Sequence, residues 1–397
     1  MATGTHQTAA VGLDSGADRA KDITNTLVIS VDAMGGDRGP AAVVAGLAIC
    51  AAKTGQVHFL LNGDQAQLNP LLGQYPALGG RVTVVHADRV VTMNDKPSQV
   101  MRHGAGTSMW STIDAVKEGK AQAAVSCGNT GALMAVSMIR LRKVPGVNRP
   151  AIACLWPSLN PGGFNVMLDV GAGIEAEAED LLQFATMGAA YARNGLALTR
   201  PRVGLLNVGT EEHKGRAELR VAHDRMAEAS DAGGFDFVGF VEGGDIPSNK
   251  VDVIVTDGFT GNVALKTGEG TAKLISEVMR QTFKSNLLSK LAALFAMGVL
   301  KRLQQRIDPR RVNGGVFLGL NGTVVKSHGG ADATGVAAAL DLAIQLAQSR
   351  FVDRLAARVA STGRTMQDAS QSFGQSANSE PSAIGKAAET DGDEAGK

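Results

Sequence analysis

Aromatic residues are scarce in this sequence, at 4% of the chain, which argues against the stacking platforms on which nucleic-acid readers lay successive bases. Net charge is also small. At +1 there is no global field to draw in nucleic acid or another polyanion. Cysteine is nearly absent: Cys50, Cys127 and Cys154 are widely spaced, lack a paired metal-ligand pattern, and suit a reducing compartment better than a disulfide framework. No run approaches the roughly 18 unbroken apolar residues of a membrane span, and the N-terminus has no apolar signal core. These absences leave a cytoplasmic protein of 397 residues, long enough for one large α/β domain or two smaller ones.

What is present is a repeated local grammar. Val251–Val255 is a short β-branched run of the kind that is buried on both faces of a sheet, and it ends in Asp257-Gly258-Phe259-Thr260-Gly261-Asn262. Similar runs lead into Asp32-Ala33-Met34-Gly35-Gly36-Asp37, Ser126-Cys127-Gly128-Asn129-Thr130-Gly131, Asp169-Val170-Gly171-Ala172-Gly173 and Asn207-Val208-Gly209. In open α/β sheets, ligands bind beyond the carboxyl ends of the strands, where helix starts offer backbone N–H groups to an anion. The pattern predicts one shared rim of Asp, Asn and Gly turns.

Strands alternate with helical runs along residues 26–360, which predicts a three-layer α/β fold in a single domain. Helices are expected from about Pro40, over Met109–Glu118, through Leu141, over Glu179–Arg193, after Asn262 and over Thr334–Ala356. Gly314–Leu318 and Thr323–Lys326 are expected as short strands closing the sheet. Residues 1–25 and 361–397 have the composition of disordered tails. An excursion near 280–310 contains Leu287–Ile307, whose leucines recur at helical spacing opposite Lys290, Lys301, Arg302 and Arg306. Such a helix packs on a partner subunit, lies in a membrane interface or simply faces the core, and periodicity does not choose among these.

Each candidate site residue also has an ordinary reading. Asn129, Asn207 and Asn262 tolerate left-handed turn geometry, yet their recurrence at strand ends favours a polar pocket. Lys214 could be a solvated loop lysine, Lys266 a helix-surface charge, and His328 a structural histidine in its Ser-His-Gly-Gly turn. Cys127 at a helix start would be a stabilised thiolate, but no base stands beside it in sequence, and a buried free cysteine is the commoner case. Gly171-Ala172-Gly173-Ile174-Glu175-Ala176 fits the dinucleotide fingerprint. The acid expected after the next strand is replaced by Asn207, so an NAD-linked hydroxy-acid dehydrogenase is the weaker enzyme reading. A non-catalytic peripheral membrane scaffold is the non-enzymatic one.

Taken together, Val31–Asp37, Gly128–Met134, Gln183–Gly188, Gly204–Gly209, Asp257–Val263 and Val325–Gly329 closely resemble the PlsX family, the acyl-acyl carrier protein:phosphate acyltransferases. The resemblance spans about residues 27–355. It implies a Rossmann-like α/β/α sandwich similar to isocitrate dehydrogenase and phosphotransacetylase, with a helical projection near 280–310. It also implies a homodimer with peripheral membrane contact, no metal and no cofactor, and no nucleic-acid partner. The implied activity moves a fatty acyl group from acyl-acyl carrier protein to inorganic phosphate. Two departures stand out: the family usually has Asn where this chain has Gly173, and Ala where it has Cys127.

Phosphate is itself an oxygen nucleophile, so the protein's tasks reduce to holding an anion and stabilising an oxyanion. Lys214, Asn262 and His328 are the expected catalytic residues. Asp32, Gly35, Gly36, Asn129, Thr130, Gly131, Asn207, Asp257, Gly258, Gly261 and Lys266 are expected to line the substrate site, the two aspartates by orienting turn amides and lysines.

Overall fold

The computed structural model describes residues 26–285, 295–298 and 314–361. Both expected tails and most of the 280–310 excursion, including the basic face of Lys290, Lys301, Arg302 and Arg306, lie outside these residues.

The strands are β1 (Leu27–Asp32), β2 (Val57–Gly63), β3 (Val82–His86), β4 (Ala123–Ser126), β5 (Ala151–Pro157), β6 (Phe164–Leu168), β7 (Arg202–Leu206), β8 (Asp236–Val241), β9 (Val253–Val255), β10 (Gly315–Leu318) and β11 (Thr323–Lys326). They form one 11-stranded sheet in the order β3-β2-β1-β4-β11-β10-β5-β6-β9-β7-β8. Alternation along single strands makes the three layers. In β9, Val253 and Val255 join one core while Ile254 joins the other, and in β11 Val325 and Val324 divide in the same way. Successive side chains point to opposite faces of a strand, so a sheet with a core on each face must be covered on both.

The helices are α1 (Gly39–Lys53), α2 (Gln65–Leu72), α3 (Pro97–His103), α4 (Ser108–Lys117), α5 (Thr130–Leu141), α6 (Ala178–Gly195), α7 (Ala217–Gly233), α8 (Gly258–Lys284) and α9 (Ala333–Gln348). The helix expected over 334–356 is broken: α9 ends at Gln348, Arg350 takes φ 47°, and helical turns resume over 351–361. One core gathers α1, α6 and α9, with Val43, Leu47, Phe184, Tyr191, Val336 and Leu340 buried in it. The opposite core gathers α4 and α5 through Met109, Ile113, Leu133 and Val136.

Two expectations need correction. The pair β10–β11 does not close an edge; it occupies the middle of the sheet. Its residues are short, apolar and buried on both faces, which is the pattern of central strands. Strand direction then changes the picture of a single rim. The half β3-β2-β1-β4-β11 is parallel throughout, and so is β6-β9-β7-β8. Antiparallel pairings of β11 with β10, β10 with β5 and β5 with β6 join them, so the two halves run in opposite directions. The turns after β1, β4 and β11 open on one edge, and those after β6, β7 and β9 on the other.

Candidate active site

Helix α8 connects the two edges. It starts at the end of β9, where the Asp257 side chain accepts hydrogen bonds from Thr260 N (2.8 Å) and Thr260 Oγ1 (3.0 Å). This capping draws Gly258, Thr260, Gly261 and Asn262, expected as a loop, into the first turns of the helix. The residue at Gly261 must be glycine, because a Cβ there would overlap the carbonyl oxygen of Asp169. From that close approach α8 runs over the middle of the sheet. Asn262, Lys266 and Glu269, at helical spacing, line one wall of a cavity of about 880 Å³.

The cavity has a polar end and an apolar wall. At the polar end, Lys266 Nζ lies 2.9 Å from Glu269 Oε2 and 3.5 Å from His328 Nε2, and His328 Nε2 is 3.8 Å from Glu269 Oε2. The Gly330 N–H donates to His328 Nδ1 at 3.0 Å, so a neutral ring carries its proton on Nε2. Burial, then the neighbouring Lys266 charge, pushes His328 below the usual imidazole range, which favours that neutral form at pH 7. Thr130, the first residue of α5, and Lys326, the last of β11, complete this end. Beyond it stand Leu155, Trp156, Pro157, Ile246, Leu265 and Ile275. A small polar cluster converging on an apolar wall can hold an amphiphile with its reactive group at the charged end.

Asn262, Lys266, His328 and Thr130 are therefore brought together as expected from sequence, and the remaining candidates fall into two groups. Beside the polar end, Asp32 is buried and accepts from Ser108 Oγ and Ser126 Oγ, both at 2.7 Å. Burial raises its pKa, against the lowering effect of these hydrogen bonds. It ties the β1 and β4 turns and does not line the cavity. Gly35 packs on Asp32 and Gly128, while Gly36, at φ +95°, would drive a Cβ to 2.9 Å from both Cys127 Cβ and Gly329 O. Asn129 caps α5 by accepting from Ala132 N (3.0 Å), and its amide donates to Met93 O and Asp95 O. Its polar atoms are thus committed to protein, and Gly131 lies against Pro97.

On the other edge, Asn207 donates to the Lys214 carbonyl at 3.1 Å, while its Oδ1 is buried without a partner among the described residues. Lys214 pairs with Glu211 at 2.7 Å and is half exposed; that pairing raises its pKa. It lies outside the lining of the cavity, although its neighbour Glu242 precedes Gly243, which belongs to that lining. Asp257 pairs with Arg216 and Gly258 abuts Gly173. The apparent dinucleotide fingerprint is spent internally: Gly171, Ala172 and Gly173 all donate their N–H groups to the Asp169 carboxylate. Those amides are not available to a pyrophosphate.

Cys127 is 4% exposed, and burial pushes its thiol up; both oppose a thiolate nucleophile. Sequence reasoning missed Glu269, Trp156 and Lys326 as site residues. Strand β5, which carries Trp156, was not expected at all. Lys326 left one usable signal, a lysine that ends a β-branched run just before the Ser327-His328-Gly329-Gly330 turn. Among the described residues, no cluster of His, Cys, Asp and Glu could hold a metal ion.

The family model described as "Fatty acid synthesis protein" matches residues 27–354. A phosphate acyltransferase of Cereibacter sphaeroides is 73% identical over 343 residues, covering 86% of this chain and 93% of that protein. The phosphate acyltransferase of Paracoccus denitrificans is 69% identical over 342 residues, covering 86% and 92%. Among solved structures, a phosphotransacetylase from Streptococcus pyogenes superposes with a TM-score of 0.55 at 17% identity, covering 84% of this chain and 97% of that one. At that identity the likeness establishes the fold alone.

Proposed function

Since the chain belongs to the fatty acid synthesis protein family and is a phosphate acyltransferase, we propose that the cavity under α8 is where an acyl group passes from acyl carrier protein to inorganic phosphate. The observation that carries this reading is the juxtaposition of the Lys266–Glu269–His328 cluster with the apolar wall of Leu155, Trp156 and Ile275. The acyl chain lies along that wall, where burial of each methylene contributes about 0.8 kcal/mol. The thioester carbonyl sits at the polar end.

In the proposed step, an oxygen of hydrogen phosphate attacks the thioester carbon directly. A tetrahedral oxyanion forms, the carbon–sulfur bond breaks, and the proton of hydrogen phosphate leaves with the carrier thiol. The products are acyl phosphate and free carrier protein. Asn262 orients the phosphate or donates to the oxyanion, and His328 supplies an Nε2–H donor to the same region. Thr130, at the first turn of α5, offers a helix start to the phosphate. Lys214 acts from the rim. Its exposed, solvent-screened pair with Glu211 holds it only weakly, so a phosphate dianion can take the lysine over. Asp32, Asp257 and the glycines around them hold the turns in place without touching substrate.

We further propose a homodimer built through α8. That helix has Phe259, Val263, Leu274 and Val278 exposed by 51–64%, and only Gly258 and Gly261 are buried along it. An apolar row of this size on a single helix marks a contact surface. Peripheral membrane contact is assigned to the Leu287–Ile307 segment; of its residues the structure describes 295–298, with Phe295 and Met297 exposed. No described helix is long and apolar enough to cross a membrane.

The test is to incubate purified protein with acyl-acyl carrier protein and phosphate and follow both products. Stoichiometric release of carrier thiol and acyl phosphate, dependent on phosphate, is the expected result. Thiol release without acyl phosphate would mean hydrolysis and would overturn the reading.

A further inference from the structure

We propose that Lys326 is a direct ligand of the phosphate nucleophile, holding it from the sheet while Asn262 and His328 approach from above. This deepens the phosphate acyltransferase reading and rests on it.

Lys326 ends β11 at the middle of the sheet, is only 9% exposed, and lines the cavity. Its ammonium group donates to the carbonyl oxygens of Cys127 (3.5 Å) and Ser327. Neutral carbonyls do not discharge it, and among the described residues no carboxylate comes within the 4.0 Å of an ion pair. Lys266 differs in this respect, since Glu269 already neutralises it.

Charged and titratable groups reach Lys326 from several elements. Lys266 on α8 and His328 in its own turn stand on the cavity side, with Glu269 beyond them. Asp32 and Asp37 act from β1 and the turn after it, and the Cys127 thiol from the turn after β4. Burial outweighs the favourable contributions and pulls the lysine down to about 8. An ammonium group held at low dielectric beside a second lysine, with no acid in contact among the described residues, leaves the site short of negative charge. A phosphate dianion in the cavity supplies what is missing. Binding must then draw a proton onto whatever fraction of Lys326 is neutral, because the anion favours the charged form.

The experiment is calorimetric titration of the protein with inorganic phosphate at pH 8, in buffers of different ionisation enthalpy and without acyl donor. Wild type should take up about half a proton more than Lys326→Met, since a group with a pKa of about 8 is half neutral there. The variant should bind phosphate about thirtyfold more weakly or worse, with Lys326→Arg partly restoring affinity. A lysine that merely ties two carbonyls together would change melting temperature but neither proton uptake nor phosphate affinity. Equal affinity and equal uptake in wild type and Lys326→Met, with acyl transfer to phosphate intact, would overturn this assignment and leave the activity standing. A wild type that neither binds phosphate nor makes acyl phosphate would overturn both. Should Lys326→Met fail to fold, the wild type still decides: no excess proton uptake between pH 7 and 9, beyond that from phosphate's own titration, refutes the proposal.

Discussion

At the residue scale, the chemistry reduces to which groups touch the anion and which hold the turns. Asn262 faces the cavity from α8, so Asn262→Ala should lower turnover by a factor on the order of a hundred without shifting the melting temperature appreciably. Lys214→Ala should lower turnover to a similar degree, since its charge matters most as the oxyanion forms. Steady-state rates with both substrates varied check the pair, and an unchanged kcat for either variant would remove that residue from the mechanism. Cys127→Ala should be nearly silent: the thiol is buried and pushed towards its protonated form. A stable acyl adduct on the wild-type protein, lost with Cys127, would instead demand a covalent route. Gly36 is different in kind. Its φ of +95° and its contacts with Cys127 and Gly329 predict that Gly36→Ala costs roughly 1–3 kcal/mol of stability, readable in denaturant unfolding.

At the scale of elements, α8 carries the largest share of the function. It links the end of β9 to the polar end of the cavity, and its outward apolar row asks for a partner. Leu274→Glu places a charge in that row, at a side chain 63% exposed, so the isolated fold should survive. Light scattering should report a loss of dimer mass, and activity should fall with it if the second copy steadies α8 over the cavity. A variant that remains dimeric would mean that the row faces something other than a second copy. The opposed half-sheets explain why a helix is needed as a bridge: the turns after β9 and β11 open on different edges, and only an element crossing the sheet can bring Asn262 and His328 to one cavity.

For the molecule as a whole, the buried lysine has a consequence for stability. Lys326 has a folded-state pKa of about 8 against an ordinary 10.5, so between those values the unfolded chain binds more protons than the folded one. Stability then rises with pH across that window: the penalty of burying charge is fully present below about 8 and gone above the unfolded value. Compared with Lys326→Met, the ligand-free wild type should gain stability from pH 8 towards pH 10, as measured by urea unfolding midpoints. Phosphate should offset the penalty, giving wild type its larger phosphate-induced melting shift near neutral pH. A difference between wild type and variant that is flat in pH would mean that the amine does not titrate as its burial implies.

Much was legible in the sequence because it is local. Short β-branched runs ended by Asp, Asn and Gly located β1, β4, β6, β7 and β9, and their near-continuous apolar character already implied cores on both faces. Asn262, Lys266, His328 and Thr130 were identified as site residues and do meet at one cavity. Long-range pairing was not legible. Nothing local in Gly315–Leu318 or Ala151–Pro157 says that these strands run antiparallel at the middle of the sheet, yet that reversal divides the expected rim into two edges. Side-chain commitments were equally hidden: that Asn129 spends its amide on Met93 and Asp95, or that Asp169 consumes the amides of a fingerprint-like turn, depends on segments distant in the chain. Composition and periodicity settled the class of fold and the kind of turns, because they report each residue's own preferences. Only the tertiary structure decided which turns share a cavity and which lysine lies buried with no acid in contact among the described residues, because register and desolvation are set by partners the local sequence does not contain.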